Sequence, residues 1–312
     1  MPNSKKTIMI TGGAGFIGSH LVRRLIKNNK IICVDNLLTG SYENIKNLLQ
    51  NPNFVFIDHD ITEGIPPLAD RLDQIYNLAC PASPVDFPRY PIKILKVCSE
   101  GVKHVLDLAM EHKATILHTS TSEIYGDPQV HPQKETYRGY VNTLGPRSCY
   151  DEGKRFAESL ISSYIRKYKV KGKMVRIFNT YGPRMRTNDG RVIPNFVNQA
   201  LKGEALTVYG KGEQTRSFSY VDDLVSGLIK MMQSQETGPF NLGNPKETKI
   251  IDLARKIIKL TNSKSKIKFL PLPQDDPTKR KPDIGLARKK LKWEPKVNLE
   301  NGLKKTIKYF KE

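Results

Sequence analysis

Thr7-Ile8-Met9-Ile10-Thr11-Gly12-Gly13-Ala14-Gly15-Phe16-Ile17-Gly18 is the stretch on which the fold turns. A short apolar run leads into a turn crowded with glycine. Beyond it, Leu21, Val22, Leu25 and Ile26 recur at the spacing of an amphipathic helix. Strand, glycine turn and helix in succession make a glycine pattern informative. The glycines let the backbone approach a pyrophosphate, and the helix N-terminus supplies amide donors and positive dipole. Gly12, Gly15, Phe16, Ile17 and Gly18 are therefore expected around a dinucleotide. A second apolar run, residues 31–34, ends in Asp35, at the distance expected for a carboxylate that binds the adenosine ribose 2′-hydroxyl. Its charge repels a 2′-phosphate, so NAD is favoured over NADP.

The alternation of strand and helix continues from there. Residues 54–57 read as a strand leading to Asp58-His59-Asp60-Ile61, with Asp60 and Ile61 bordering the adenine. Residues 74–77 form the next, followed by Leu78-Ala79-Cys80-Pro81. A helix over 91–110 leads to a strand over 115–118, whose loop begins at Thr119. The helix carrying Tyr150 and Lys154 follows, then a strand over 174–178. The class is α/β, a Rossmann-type doubly wound parallel sheet, and in such a sheet ligands lie at the carboxyl ends of the strands. The glycine turn, Asp35, Asp60, residues 78–81 and residues 119–123 all fall there. After Phe178 the texture becomes rich in Gly, Pro and Arg. The expected division is an NAD-binding Rossmann domain over 1–178 and a smaller C-terminal α/β substrate domain over 179–312, with about 215–245 returning to the Rossmann sheet.

The chemistry is expected between Thr119 and Lys154. Tyr150 and Lys154 stand four residues apart, so on a helix they leave the same face as neighbours. An ammonium beside a phenol favours the phenolate, which predicts a tyrosine pKa lowered toward the working pH, where a general base is most useful.

Composition excludes several classes. The 312 residues carry a net charge of +20, but the lysines and arginines are spread through every segment instead of forming one stripe interleaved with aromatics. No nucleic acid is expected as a partner. The excess reads as solvated lysine-rich faces with a general attraction for anions. The four cysteines, Cys33, Cys80, Cys98 and Cys149, show no metal spacing and no CxxC pair, which predicts free thiols in a reducing compartment and no metal site. The N-terminal residues fit no signal peptide, and no window supplies the about 20 apolar residues of a membrane span. A soluble, cytoplasmic protein is expected.

At this point the chain resembles the extended short-chain dehydrogenase/reductases, and within them the UDP-glucuronate decarboxylases (UDP-xylose synthases). The resemblance runs from Thr11 to about Trp293. It is carried by Thr119-Ser120-Thr121-Ser122-Glu123-Ile124-Tyr125-Gly126, by Arg147-Ser148-Cys149-Tyr150-Asp151-Glu152-Gly153-Lys154-Arg155, by residues 131–135, 179–185 and 206–218, and by Asp275-Asp276-Pro277-Thr278-Lys279-Arg280-Lys281-Pro282-Asp283. It implies catalysis by Thr121, Ser122, Glu123, Tyr150, Lys154 and Arg280. It also implies NAD contacts from Asn36, Leu37, Thr39, Gly40, Leu78, Ala79, Cys80, Thr119, Tyr150, Lys154 and Thr180. For the UDP-sugar it implies Lys96, Thr121, Asn179, Arg191, Tyr209, Gln214, Arg216 and Arg280. The substrate and product so implied are UDP-glucuronate and UDP-xylose, formed through a 4-keto intermediate.

The related 4,6-dehydratases place an Asp-Glu pair where this chain has Ser122-Glu123, and the 4-epimerases lack the glutamate. A 4-epimerase, or a decarboxylase releasing the 4-keto pentose, is the alternative within enzymes. A non-catalytic NAD-binding protein with a basic surface is the alternative outside them. The resemblance also implies a homodimer formed by the helices over 91–110 and 148–168, whose apolar stripes are Val97, Val105 and Leu108, and Ala157, Leu160, Ile161 and Tyr164. Three departures stand out. Val97-Cys98 replaces the family's Thr-Asn, Arg138 replaces a tryptophan, and the turn over 27–30 is one residue short.

Overall fold

The computed structural model describes residues 5–271 and 279–312. Asp275, Asp276, Pro277 and Thr278 of the tail segment lie outside the described residues, as do residues 1–4. The expected doubly wound sheet is present. Seven parallel strands lie in the order Phe240–Leu242, Lys171–Ile177, Thr115–Thr121, Gln74–Asn77, Thr7–Thr11, Lys30–Asp35 and Phe54–Asp58. From Thr7–Thr11 the chain first builds outward to one edge, then returns to build toward the other. The crevice between Thr7–Thr11 and Gln74–Asn77 is therefore the switch point.

Both faces of the sheet are covered, which is why its strands are nearly continuous apolar runs. Along Thr7–Thr11 the pleat sends Ile8 and Ile10 into one core, with Leu21, Val22, Leu224 and Leu228 from the helices Phe16–Leu25 and Val221–Gln233. Met9 enters the opposite core, with Val102, Val105 and Leu106 of Val102–Glu111 and Ala157 and Ile161 of Ser148–Tyr168. The edge strand Phe240–Leu242 pairs with Lys171–Ile177, so chain from beyond residue 215 completes the sheet. The remaining C-terminal chain builds short sheets over the strand ends, one joining Thr215–Ser217 to Glu247–Lys249 and Lys279–Arg280, another joining Leu206–Tyr209 to Ile267–Leu270.

Three expectations are corrected. The strand expected over 115–118 runs to Thr121, because Thr119, Ser120 and Thr121 pair with Val175, Arg176 and Ile177 in the sheet centre. The helix expected over 91–110 is interrupted by a π-turn, Val97–Gly101, between Pro91–Lys96 and Val102–Glu111. The stripes named for a two-fold face are mostly core: Val97, Val105, Ala157, Ile161 and Tyr164 are buried, and Leu108 and Leu160 pack against them. The apolar side chains these helices expose are Ile92, Leu95 and Met110, and Phe156 and Tyr168.

Candidate active site

The strand ends and the C-terminal layer enclose a cleft of about 790 Å³. At its floor, Gly12 has φ +68, and a Cβ there would stand 2.8 Å from the Ala79 nitrogen; a Cβ on Gly18 would collide with the Gly12 carbonyl oxygen. The glycines are thus required for the turn to close against Leu78 and Ala79. Helix Phe16–Leu25 starts at Gly15 with no side-chain cap, so its first amides and its dipole are available to a pyrophosphate. Asp35 is buried at the end of Lys30–Asp35. Its Oδ2 accepts from the Ala14 N–H (3.0 Å) and its Oδ1 from the Leu37 N–H (2.9 Å). Burial pushes the carboxyl up, and those two donors oppose it.

Asp60 accepts from the Asn36 amide (2.9 Å), the Thr62 N–H (2.9 Å) and the Thr62 hydroxyl (2.7 Å), and it pairs with Lys93. Burial works against its charge, but Lys93 and these donors hold it at about 2. Ile61, Thr39, Gly40, Cys80 and Thr180 also line the cleft, whereas Leu37 does not and contributes its amide from behind. A backbone cradle that a Cβ would fill, an uncapped helix start and a buried carboxylate at the second strand end together fit a dinucleotide.

The reacting groups come from two elements. Strand Thr115–Thr121 ends in Thr121, whose Oγ accepts from the Glu123 N–H (3.2 Å) and whose hydroxyl is hydrogen-bonded to the Tyr150 phenol. Helix Ser148–Tyr168 brings Tyr150 and Lys154 to one face, with the ammonium 5.9 Å from the phenol ring centroid and donating to the Thr119 carbonyl (2.9 Å). Phe87 stacks on Tyr150 with centroids 4.9 Å apart, and Arg147 lies over Phe87. The lowered phenol pKa expected from the sequence is overturned. Burial pushes Tyr150 up to about 12, and the pull of Lys154, with the Thr121 hydrogen bond and Arg191, only partly offsets it.

Glu123 is the second centre. Its Oε2 accepts from Arg147 Nη2 (2.7 Å) and from Arg280 Nη2 (3.3 Å); Arg280, 1% exposed, also donates to the Ser122 carbonyl. Burial opposes the charge, yet Arg280, Arg147 and Arg216 hold the carboxyl at about 2. Arg216 is brought there by strand pairing, since Lys279–Arg280 runs in register with Thr215–Ser217. Asp151 is buried nearby. Its desolvation, reinforced by the Glu123 charge, raises it to about 7, and its Oδ1 has no hydrogen-bond partner among the described residues.

Asn179, Arg191, Tyr209, Gln214 and Arg216 also line the cleft. Arg191 donates to the Ala82 carbonyl (2.6 Å), and Gln214 donates to the Tyr209 carbonyl (2.8 Å). Lys96 is exposed and stands outside the cleft wall. Val97 is in the wall and Cys98 buried beside it, so the substituted Thr-Asn pair does adjoin the cofactor floor. Sequence reasoning did not single out Arg147, Asp151, Lys93 or the proximity of Cys98 to Cys80. The first two lie inside the quoted 147–155 motif, where their place beside Tyr150 was the available signal. The four cysteines are free, no cluster of potential metal ligands is present among the described residues, and no described helix is long and apolar enough to cross a membrane.

The family model described as GDP-mannose 4,6 dehydratase matches residues 9–306. The chain is 52% identical to UDP-glucuronic acid decarboxylase 1 of Xenopus tropicalis, over 99% of this chain and 73% of that protein. It is also 52% identical to UDP-glucuronic acid decarboxylase 3 of Arabidopsis thaliana, over 97% and 87%. Among solved structures, a UDP-glucose 4-epimerase from Thermotoga maritima with UDP-glucose superposes at TM-score 0.89, with 31% identity and 98% of each chain covered. A UDP-glucuronic acid 4-epimerase from Bacillus cereus, in complex with UDP-glucuronic acid and NAD, superposes at 0.88, with 27% identity, covering 98% of this chain and 99% of that one. With a match along nearly its whole length and relatives at half identity, the chain belongs to the GDP-mannose 4,6-dehydratase family of extended short-chain dehydrogenase/reductases.

Proposed function

We propose that the protein is an NAD-dependent UDP-glucuronate decarboxylase that releases CO₂ and UDP-xylose, redox-neutral overall. The observation that carries this is one cleft holding the Thr121–Tyr150–Lys154 group next to a carboxylate clamped by guanidinium groups. Residues 1–178 hold the cofactor in this reading, and residues 179–312 close over the sugar nucleotide.

When bound, NAD⁺ supplies oxidation at the sugar C4 and its reversal. Tyr150 takes the C4-hydroxyl proton. Because its resting pKa is about 12, the transfer depends on Lys154 and Thr121 stabilising the phenolate as it forms. The ketone at C4 is β to the C5 carboxylate, so loss of CO₂ leaves an enolate that the carbonyl delocalises; C5 of that enolate then takes up a proton, and reduction of the C4 ketone gives UDP-xylose. Around Glu123 the three guanidiniums of Arg147, Arg280 and Arg216 outnumber the carboxyls of Glu123 and Asp151, which leaves net positive charge to orient the substrate carboxylate. Arg191, Tyr209 and Gln214 are assigned to the UDP portion.

A 4,6-dehydration needs an acid to protonate the departing 6-hydroxyl. Ser122 replaces that family's aspartate, and Glu123, held at about 2, cannot donate a proton near neutral pH. Decarboxylation has no hydroxyl to expel, so it needs no acid at a leaving group, only a proton delivered to C5 of the enolate. The exposed Ile92, Leu95 and Phe156 support a homodimer through the helices Pro91–Lys96 and Ser148–Tyr168, to be tested by light scattering at micromolar concentration. The four free thiols support a reducing, cytoplasmic location. The test of function is incubation with UDP-glucuronate and NAD⁺, followed by CO₂ measurement and mass spectrometry of the nucleotide sugar. UDP-xylose with stoichiometric CO₂ is expected. UDP-galacturonate without CO₂ would make the protein a 4-epimerase, and a released 4-keto pentose would end the redox-neutral cycle proposed here.

A further inference from the structure

Two of the four cysteines, unrelated by any sequence spacing, meet at the cofactor floor. Cys98 lies in the π-turn Val97–Gly101, a one-residue insertion that shifts side chains off the regular helical face. It is 1% exposed and wedged under helix Ser148–Tyr168. That helix passes it at Gly153, where a Cβ would stand 3.2 Å from both the Cβ and the Sγ of Cys98. Cys80, just beyond strand Gln74–Asn77, lines the cleft, and its Sγ lies 3.8 Å from that of Cys98. The pair is asymmetric. A hydrogen bond joins the two sulfurs; it outweighs burial and, with the Lys154 ammonium, brings the Cys80 thiol down to about 7. The same bond, burial and the Cys80 charge keep Cys98 protonated. Cys80 is half-buried in the cleft wall and Cys98 fully buried behind it, so the sulfur whose pKa is lowered is also the one that a molecule entering the cleft meets first.

We propose that Cys80 and Cys98 form an oxidisable dithiol in the wall of the cofactor cleft, with a small hydroperoxide as its oxidant. The Cys80 thiolate attacks the peroxide, an S–O bond forms as the O–O bond breaks, and the departing alkoxide or hydroxide takes up the proton that Cys80 released to solvent; Cys80 becomes a sulfenic acid and the peroxide is reduced. The Cys98 sulfur then bonds to the Cys80 sulfur, the S–O bond breaks, and the hydroxyl leaves as water with the Cys98 proton. The sulfurs need to approach by less than about 2 Å to reach bonding distance. Because the oxidant must arrive through the cleft, NAD⁺ seated there covers Cys80; this step rests on the cofactor placement described above.

The experiment is non-reducing peptide mapping of the protein treated with hydrogen peroxide, with and without NAD⁺. A Cys80–Cys98 linked peptide is expected, cleaved again by dithiothreitol. At NAD⁺ about ten times its Kd only about one site in eleven is open, so linkage should slow about elevenfold. Cys98→Ser should leave a persistent sulfenic acid on Cys80, captured by a 1,3-diketone probe that labels the wild type far less. Over-oxidised Cys80 without linkage, a different cysteine pairing, or linkage at an unchanged rate in NAD⁺ would each overturn the proposal. Calorimetry of NAD⁺ and turnover of UDP-glucuronate on the same preparation separate those failures from a failure of the proposed function. Should Cys98→Ser not fold, the wild-type map decides alone.

Discussion

Replacing Glu123 by glutamine keeps the side chain's size and removes only its charge, so it isolates what the clamp of Arg147 and Arg280 contributes. The carboxyl, 17% exposed, sits at about 2 in the folded protein against an ordinary 4.5. That depression corresponds to about 3 kcal/mol of stability at pH 7. For a chain of this length that is a fall in melting temperature of about 5 °C. The sign follows from the direction of the shift. A carboxyl depressed on folding stabilises fully above its unfolded pKa, and that stability drains away as pH falls toward the folded one. The gap between wild type and Glu123→Gln should therefore be flat from pH 7 to about 5.5 and shrink by about 40% at pH 3.5. Thermal unfolding across that pH series, monitored by circular dichroism, reads it. Turnover of UDP-glucuronate should fall about a hundredfold, the usual effect of disturbing one positioned charge in a closed site. A variant melting within about 1 °C of wild type at pH 7, or a gap that ignores acid, would refute the ion-paired state of Glu123 and the argument against proton donation built on it.

What the sequence made legible was whatever depends on periodicity and punctuation. The glycine turn, Asp35, the strand over 74–77 and the helix Ser148–Tyr168 are local patterns, and the structure has them within a residue or two. What it hid depends on chain segments far apart. Thr119–Thr121 look like loop because they are polar, yet central pairing with Val175–Ile177 makes them strand. Tyr150 and Lys154 are neighbours as expected, but the burial that governs the phenol, with Phe87 stacked on it, comes from residues some 60 positions earlier. Glu123 finds Arg147 at a separation of 24 and Arg280 at 157. An apolar stripe such as Val105 and Ile161 says that a face is covered, and only the fold shows that its own core does the covering.

Three further outcomes are expected. Asp35 should make NAD⁺ bind at least tenfold more tightly than NADP⁺ by calorimetry, since a 2′-phosphate would bring its charge against a buried carboxylate; equal affinities would remove that assignment. Tyr150→Phe should keep the wild-type melting temperature within about 2 °C yet release no CO₂ from UDP-glucuronate, and near-normal turnover would take the proton-transfer role away from the phenol. Asp151→Asn tests the opposite electrostatic case to Glu123. Burial and the Glu123 charge raise Asp151 from 3.8 to about 7, so its ionised form is worse placed in the folded chain than in the unfolded one. The sign is therefore reversed. The penalty is absent below the unfolded pKa, grows as pH rises from about 4, and is complete above about 7, where it reaches the order of 4 kcal/mol. Asparagine removes the ionisation, so the variant should be indistinguishable from wild type near pH 4 and more stable by several degrees at pH 8. The clamp on Glu123 supplies the cross-check: in a Glu123→Gln background the Asp151 carboxyl loses its like-charged neighbour, its pKa falls, and the gain from Asp151→Asn should shrink. An unchanged gain would mean that burial alone raises Asp151 and that the two carboxyls do not share a field.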